Sequence, residues 1–295
     1  MRPAERGFLL LSSHLGDPQR KVLTTAQLRT LAKRAKLLPL EDRDLQVQDL
    51  LHLGYDPVMA QRIWDLLEGE TQLDWYLSRG KRRDCVPLTR ISETYPQKLR
   101  SCMGLDAPGC LWVKGDLSLL QMPMVSLVGS RELEEQNRQF AGEVGRQAAM
   151  QGFVLVSGNA KGADREAQEA CLEAGGRVIS VVADELETKP RTSRVLWLSE
   201  DGYDLPFTTL RALSRNHVIH SLGGLTLVAQ CTMGKGGTWD GTVKNLHNGY
   251  SPVCCFDDGS DVVTALVHRG AVAVTAEDLQ DLQALKGTEL NFMGQ

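Results

Sequence analysis

Aromatic residues are scarce, at 5% of 295 positions, and no apolar run approaches the length needed to cross a bilayer. The second absence excludes a helical membrane protein. The short apolar patch Phe8 to Leu11 has no small-residue cleavage site behind it, so the expected location is the cytoplasm. Seven cysteines, Cys85, Cys102, Cys110, Cys171, Cys231, Cys254 and Cys255, are scattered. They show neither C-x-x-C nor Cys/His ligand spacing, which excludes a disulfide framework or zinc site as the organising device. Cys254 and Cys255 sit in a strand-like run and read as small core hydrophobes. An excess of positive charge is missing too: 33 Lys and Arg against 37 Asp and Glu leave a formal charge of -4. Such a chain does not coat nucleic acid over its whole surface, although a local basic cleft remains allowed. The Walker lysine pattern and G-x-G-x-x-G are both absent, which argues against a P-loop or nicotinamide enzyme. No cofactor and no metal are expected.

What the chain has is organised around Val125 to Arg131, a β-branched run that stops on Gly129 and Ser130 and delivers an arginine. A buried parallel strand ending there leaves Ser130 and Arg131 at its carboxyl end, where open α/β sheets bind ligands. Glu132 to Gln151 reads as the following helix, with Phe140, Val144 and Ala148 at helical spacing and a first turn whose free N–H groups lie beside Arg131. A second strand, Phe153 to Val156, breaks into the glycine-rich turn Ser157 to Asp164. Asp164 is expected to hold that turn in shape as a cap. Further strands at 111–113, 178–182, 196–198, 225–229, 253–256 and 272–274 alternate mostly with helical patterns. The fold class is therefore α/β, a doubly wound, mainly parallel Rossmann-like sheet.

Before it, residues from about Thr24 to Gly80 read as short helices with no strand-like run. Thr24 and Thr25 cap one over Ala26 to Leu37, and Pro57 opens another over Val58 to Leu67 that Gly69 closes. Trp64, Leu67, Leu73, Trp75 and Leu77 are its expected core. The alternative is a DNA-binding helical hairpin using Gly54 with Arg79, Lys81, Arg82 and Arg83. The expected organisation is a helical domain over 1–84, the sheet domain over 85–276 and a tail over 277–295.

Several pieces stand in a definite order: Tyr95-Pro96-Gln97-Lys98-Leu99, Lys114-Gly115-Asp116, Gly129-Ser130-Arg131, Val156-Ser157-Gly158, Ala160-Lys161-Gly162-Ala163-Asp164, Leu198-Ser199-Glu200 and Arg215-Asn216-His217-Val218-Ile219. This order resembles the DNA-processing protein A family, DprA, also called Smf, from about Arg90 to Val274. The resemblance implies a non-catalytic single-stranded DNA-binding protein of natural transformation, a homodimer that helps load a RecA-type recombinase. The apolar segments Val253 to Phe256 and Val262 to Val267 are consistent with the dimer, or else are buried in the monomer.

The expected phosphate-binding set is Gly129, Ser130, Arg131, Ser157, Gly158, Lys161, Gly162, Arg215, Asn216, Lys235, Gly236, Gly237 and Thr238. Arg131 is read as aimed at a ligand, the alternative being an ion pair with Glu132 or Glu135. Arg215 and Asn216 are balanced between ligand contact and structure, and His217 and His220 read as surface or core histidines. Trp239 and Phe207 are the candidate stacking platforms, the alternative for both being a place in the core. The chain departs from the family over Met233 to Thr242. There it is similar to the LOG-type nucleotide phosphoribohydrolases, with Gly241 where their glutamate stands. Without that carboxylate hydrolysis loses a main contributor, unless Asp240 substitutes, so a nucleotide-binding or nucleotide-cleaving module is the alternative function.

Overall fold

The computed structural model describes residues 1–38 and 45–287. Five helices come first: α1 (Pro3–Ser12), α2 (Thr25–Ala35), α3 (Val47–His52), α4 (Pro57–Leu67) and α5 (Glu70–Arg82). The start of α2 is fixed by reciprocal bonds between Thr24 and Gln27, and Asp56 caps α4 by accepting from the Met59 amide at 2.9 Å, with Pro57 in the first turn. Leu23, Leu28, Leu31, Leu50, Ala60, Ile63 and Leu66 form a small core of their own.

The patch Phe8 to Leu11 lies in α1 and faces two ways. Phe8 and Leu11 pack on the small helical core, while Leu9 and Leu10 are buried in the main core beneath the sheet. Of the expected helical core, Leu73 is fully buried but Trp75 is 54% exposed. Tyr76 takes the inward position instead, stacked on Tyr203 at 4.4 Å and edge-on to Trp112 at 5.2 Å. Arg79 is paired with Asp204 and Glu187, so the basic cluster of the hairpin alternative is partly spent on internal contacts.

The sheet has nine strands: β1 (Val86–Thr89), β2 (Cys110–Lys114), β3 (Met124–Val128), β4 (Val154–Ser157), β5 (Arg177–Val182), β6 (Val195–Glu200), β7 (Thr226–Val228), β8 (Val253–Phe256) and β9 (Val272–Val274). Their order is β1-β2-β6-β5-β4-β3-β7-β8-β9. β1 and β2 are antiparallel additions, and the pairs from β6 to β9 are parallel. β1, absent from the sequence reading, is four residues containing Pro87, and it sits at an edge as a proline requires.

Alternate residues of the central strands face two cores. Val125 and Leu127 meet α7 (Glu135–Met150) and α8 (Ala163–Glu173) on one side, whereas Val128, Val154 and Val156 meet α9 (Thr209–Leu222) on the other. α6 (Gln97–Met103), α10 (Gly236–Asn248) and α11 (Asp261–Val267) share the α9 face. The segments 253–256 and 262–267 are used inside the chain: β8 lies between β7 and β9, and Val263 and Leu266 are buried. In the second segment Val267 stays 39% exposed. Residues 277–287, expected as the start of a tail, instead form a 3-10 turn and α12 (Leu282–Gly287), with Leu279 and Leu282 fully buried in the main core. The remainder of the expected tail, 288–295, lies outside the described residues.

Candidate functional site

After β3 the chain winds outward through β4, β5 and β6, and β7 then returns to the other side of β3. This reversal is a topological switch point, and a cavity of about 430 Å³ opens there over the strand ends. Gly129 to Arg131 after β3, Ala160 and Asp164 after β4, and Thr232 with Lys235 to Thr238 after β7 line it, and α9 forms a wall with Ala212, Arg215 and Asn216.

The helix following Arg131 does not begin where its polarity suggests. Ser130 N–H donates to the Gln230 carbonyl at 2.9 Å and Glu134 N–H to the Gln230 side chain at 3.0 Å, so the chain stays irregular until α7 opens at Glu135. The first turn facing the cavity belongs to α10 instead. Lys235 is its N-cap residue, and Gly236 and Gly237 carry no side chains over the turn. The first amides of a helix lack intrahelical acceptors and hold the positive end of its dipole, so this turn presents N–H groups to an anion. Thr238 Oγ1 donates to the Gly129 carbonyl at 2.9 Å and Asn216 Nδ2 to the Gly237 carbonyl at 3.0 Å, tying α10 to β3 and α9.

Arg215 is 9% exposed and holds the floor. It lies 3.7 Å from Asp164 and donates to the Val181 carbonyl at 3.3 Å. Burial disfavours charge on both partners, drawing Arg215 down and Asp164 up, while their attraction opposes each shift. Asp164 also accepts from the Ala160 amide at 3.1 Å, which pins the turn.

The structure sorts the expected phosphate set into three groups. Gly129, Ser130, Arg131, Arg215, Asn216, Lys235, Gly236, Gly237 and Thr238 line the cavity. Ser157, Gly158 and Gly162 do not, because packing uses them. Ser157 is fully buried and accepts from Gln168 at 2.5 Å, and Gly158 lies under Arg215. Gly162, at φ +89, lets the second turn press on the Ser130 and Arg131 carbonyls. Lys161 is exposed but outside the lining.

Among the described residues neither Arg131 nor Lys235 has an ion-pair partner, and both are exposed; Glu135, one proposed mate for Arg131, lies 3.7 Å from Arg138 instead. The cavity's carboxylate, Asp164, is matched by Arg215, so Arg131 and Lys235 leave it positive.

Of the two candidate platforms, Phe207 is 53% exposed at the cavity, while Trp239 is 8% exposed and packs in the core. A β-carbon at Gly241 would meet His220 Nε2 at 3.1 Å and Asn216 Cβ at 3.4 Å. Position 241 therefore faces α9 rather than the cavity, and Asp240 is outside the cavity lining. His220 is fully buried beside Asn245, and burial lowers it to about 3.

Sequence reasoning missed Arg211, one helical turn before Arg215. It donates to the Ala183, Leu205 and Pro206 carbonyls and to Ser199 Oγ, anchoring the loop that carries Phe207. Its signal was the four-residue spacing of two arginines on one helix face.

Fold and site define a doubly wound, Rossmann-like α/β protein with a cleft at the switch point. The chain belongs to the DNA recombination-mediator protein A family, which its residues 87–280 match. It is 31% identical over 206 residues to the DNA processing protein DprA of Streptococcus pneumoniae, covering 65% of this chain and 69% of that one. The fold is that of the S. pneumoniae DprA crystal structure, with a TM-score of 0.67 at 24% identity over 87% of this chain and 97% of that one. It is also similar to DNA processing protein A of Helicobacter pylori, whose structure concerns its single-stranded DNA binding mode. That match has a TM-score of 0.55 at 23% identity, over 70% of this chain and 96% of the other.

Proposed function

We propose that this protein binds single-stranded DNA in the switch-point cavity without chemical change. The observation that carries the reading is the pair of exposed cations, Arg131 and Lys235, without ion-pair partners among the described residues, beside the open first turn of α10. Arg131, Lys235 and the amides of Gly236 and Gly237 contact phosphates, Ser130 and Thr238 add neutral partners, and Phe207 stacks a base. A duplex is too stiff and wide to enter a pocket lined by backbone N–H groups, which favours the single strand. The single-stranded DNA binding of the H. pylori relative supports the same ligand.

The non-catalytic part rests on the carboxylates. Asp164 is tied to Arg215, and position 241 points into α9, so among the described residues lining the main cavity no free carboxylate is placed to stabilise charge at a ribose. A cytoplasmic homodimer that helps load a RecA-type recombinase during natural transformation completes the proposal by family resemblance.

Binding of labelled poly-dT and mixed oligonucleotides to wild type and Arg131→Ala tests it. The variant should weaken both equally, by on the order of 1–3 kcal/mol. Unchanged affinity in a folded variant would overturn the reading. Free base released from nucleoside monophosphates, and abolished by Asp240→Asn, would establish the hydrolase alternative instead.

A further inference from the structure

Beside the main cavity, and sharing Leu213 and Gly237 with it, a second hollow of about 250 Å³ lies between α9 and α10. Gly237 and Gly241 let the helices approach: a β-carbon at 237 would meet Asn216 at 2.9 Å, and one at 241 would meet His220. Gly237 lies against Asn216 and Gly241 against His220, so the two helices run in the same direction and the hollow follows them away from the cavity. Leu213, Trp239 and Val243 give it apolar lining and His217, Asp240 and Lys244 polar lining, with Lys244 one turn beyond Asp240 on α10. Lys244 is exposed and, among the described residues, has no ion-pair partner.

We propose that this hollow is a second nucleotide subsite, taking the base next to the one bound in the main cavity, with Lys244 meeting the following phosphate. The inference rests on the single-stranded DNA reading above. Apolar walls with a few polar groups at the edge suit a nucleobase, which must bury its faces and satisfy its rim. The 38%-exposed Leu213 is the ridge between subsites, over which the sugar crosses. His217, drawn below its ordinary value by burial and then by Lys244, stands neutral at pH 7 and offers one donor and one acceptor.

The test compares dT20 with the dinucleotide pdTpdT, which reaches both subsites but ends before the phosphate that Lys244 meets. Lys244→Ala should weaken dT20 by about fivefold to thirtyfold and lower the salt slope by about 0.7, with the dinucleotide unaffected. His217→Ala should weaken dT20 with the slope unchanged, because it removes no phosphate contact. If dT20 binding is sensitive to Arg131→Ala but indifferent to Lys244→Ala and His217→Ala, the second subsite does not exist and the main cavity stands. If wild type binds no dT20, both readings fall.

Discussion

The Arg215 guanidinium lies against the face of Gly158 where any other residue would carry its β-carbon. Glycine here is a matter of space, since the turn must pass directly over a buried arginine that reaches from α9 to Asp164. Gly158→Ala should displace that arginine and separate it from its carboxylate. The expected cost is about 1–3 kcal/mol of stability together with lost oligonucleotide binding, read by thermal unfolding and titration. A variant as stable as wild type would show that the buried pair is readily rearranged.

Glu200 should make stability fall as pH rises. Ser214 donates to its Oε2 at 2.9 Å, but Oε1 is buried with no partner. Burial, then the charge of Asp201, pushes the carboxyl up to about 7 from an ordinary 4.5. Between those values the folded protein holds a proton that the unfolded chain has released. Stability therefore drops as pH rises from about 4.5 to about 7 and is flat above that. Glu200→Gln keeps an acceptor for Ser214 and removes the charge. Its gain over wild type should be near zero at pH 4.5 and on the order of 1–3 kcal/mol at pH 8, measured by urea unfolding. An equal gain at both values would contradict the assignment.

The helical N-terminus is latched to the cavity rim through Asp204, which accepts from Tyr76 Oη at 2.6 Å and from Arg79 at 2.9 Å. Three residues later comes Phe207, and Thr208 caps α9. Tyr76→Phe keeps the stacked ring and deletes one bond to a charged group, so it should cost about 1–2 kcal/mol of stability. Asp204→Asn should cost more, because Arg79 also loses its ion pair. Equal effects from the two variants in a thermal scan would mean that the Arg79 contact contributes nothing.

The parallel strands were legible because each is a short apolar run bounded by glycine or polar turns, and the switch-point glycines marked the cavity. Which helix N-terminus serves it was not, since the polar segment after Arg131 looks helical from Glu132. Its start at Glu135 is set by bonds to Gln230, a residue 96 positions beyond Glu134. The same holds for Arg215, whose buried place is set by the distant Gly158 and Asp164. Such contacts are long-range, and helical spacing carries no trace of them. Trp239 and Trp75 exchanged their expected environments for a related reason: helical spacing shows a face but not what another element puts against it.

The charge and stacking parts of the cavity should separate cleanly. Lys235 stands at the N-cap position of α10 with an exposed side chain, and Phe207, 53% exposed, lines the same cavity. Lys235→Ala removes one phosphate contact, so the salt slope should fall by about 0.7, with affinity lowered alike for every base sequence. Phe207→Ala removes a π-face and no charge. It should cost about 1–3 kcal/mol with an intact strand, leave the slope unchanged, and have little effect on an abasic strand. The abasic comparison decides between a platform and a structural ring: a ring that merely shaped the rim would weaken intact and abasic strands equally when removed. In that event phosphate contacts would carry the whole affinity, and the loop anchored by Arg211 would be a wall and nothing more.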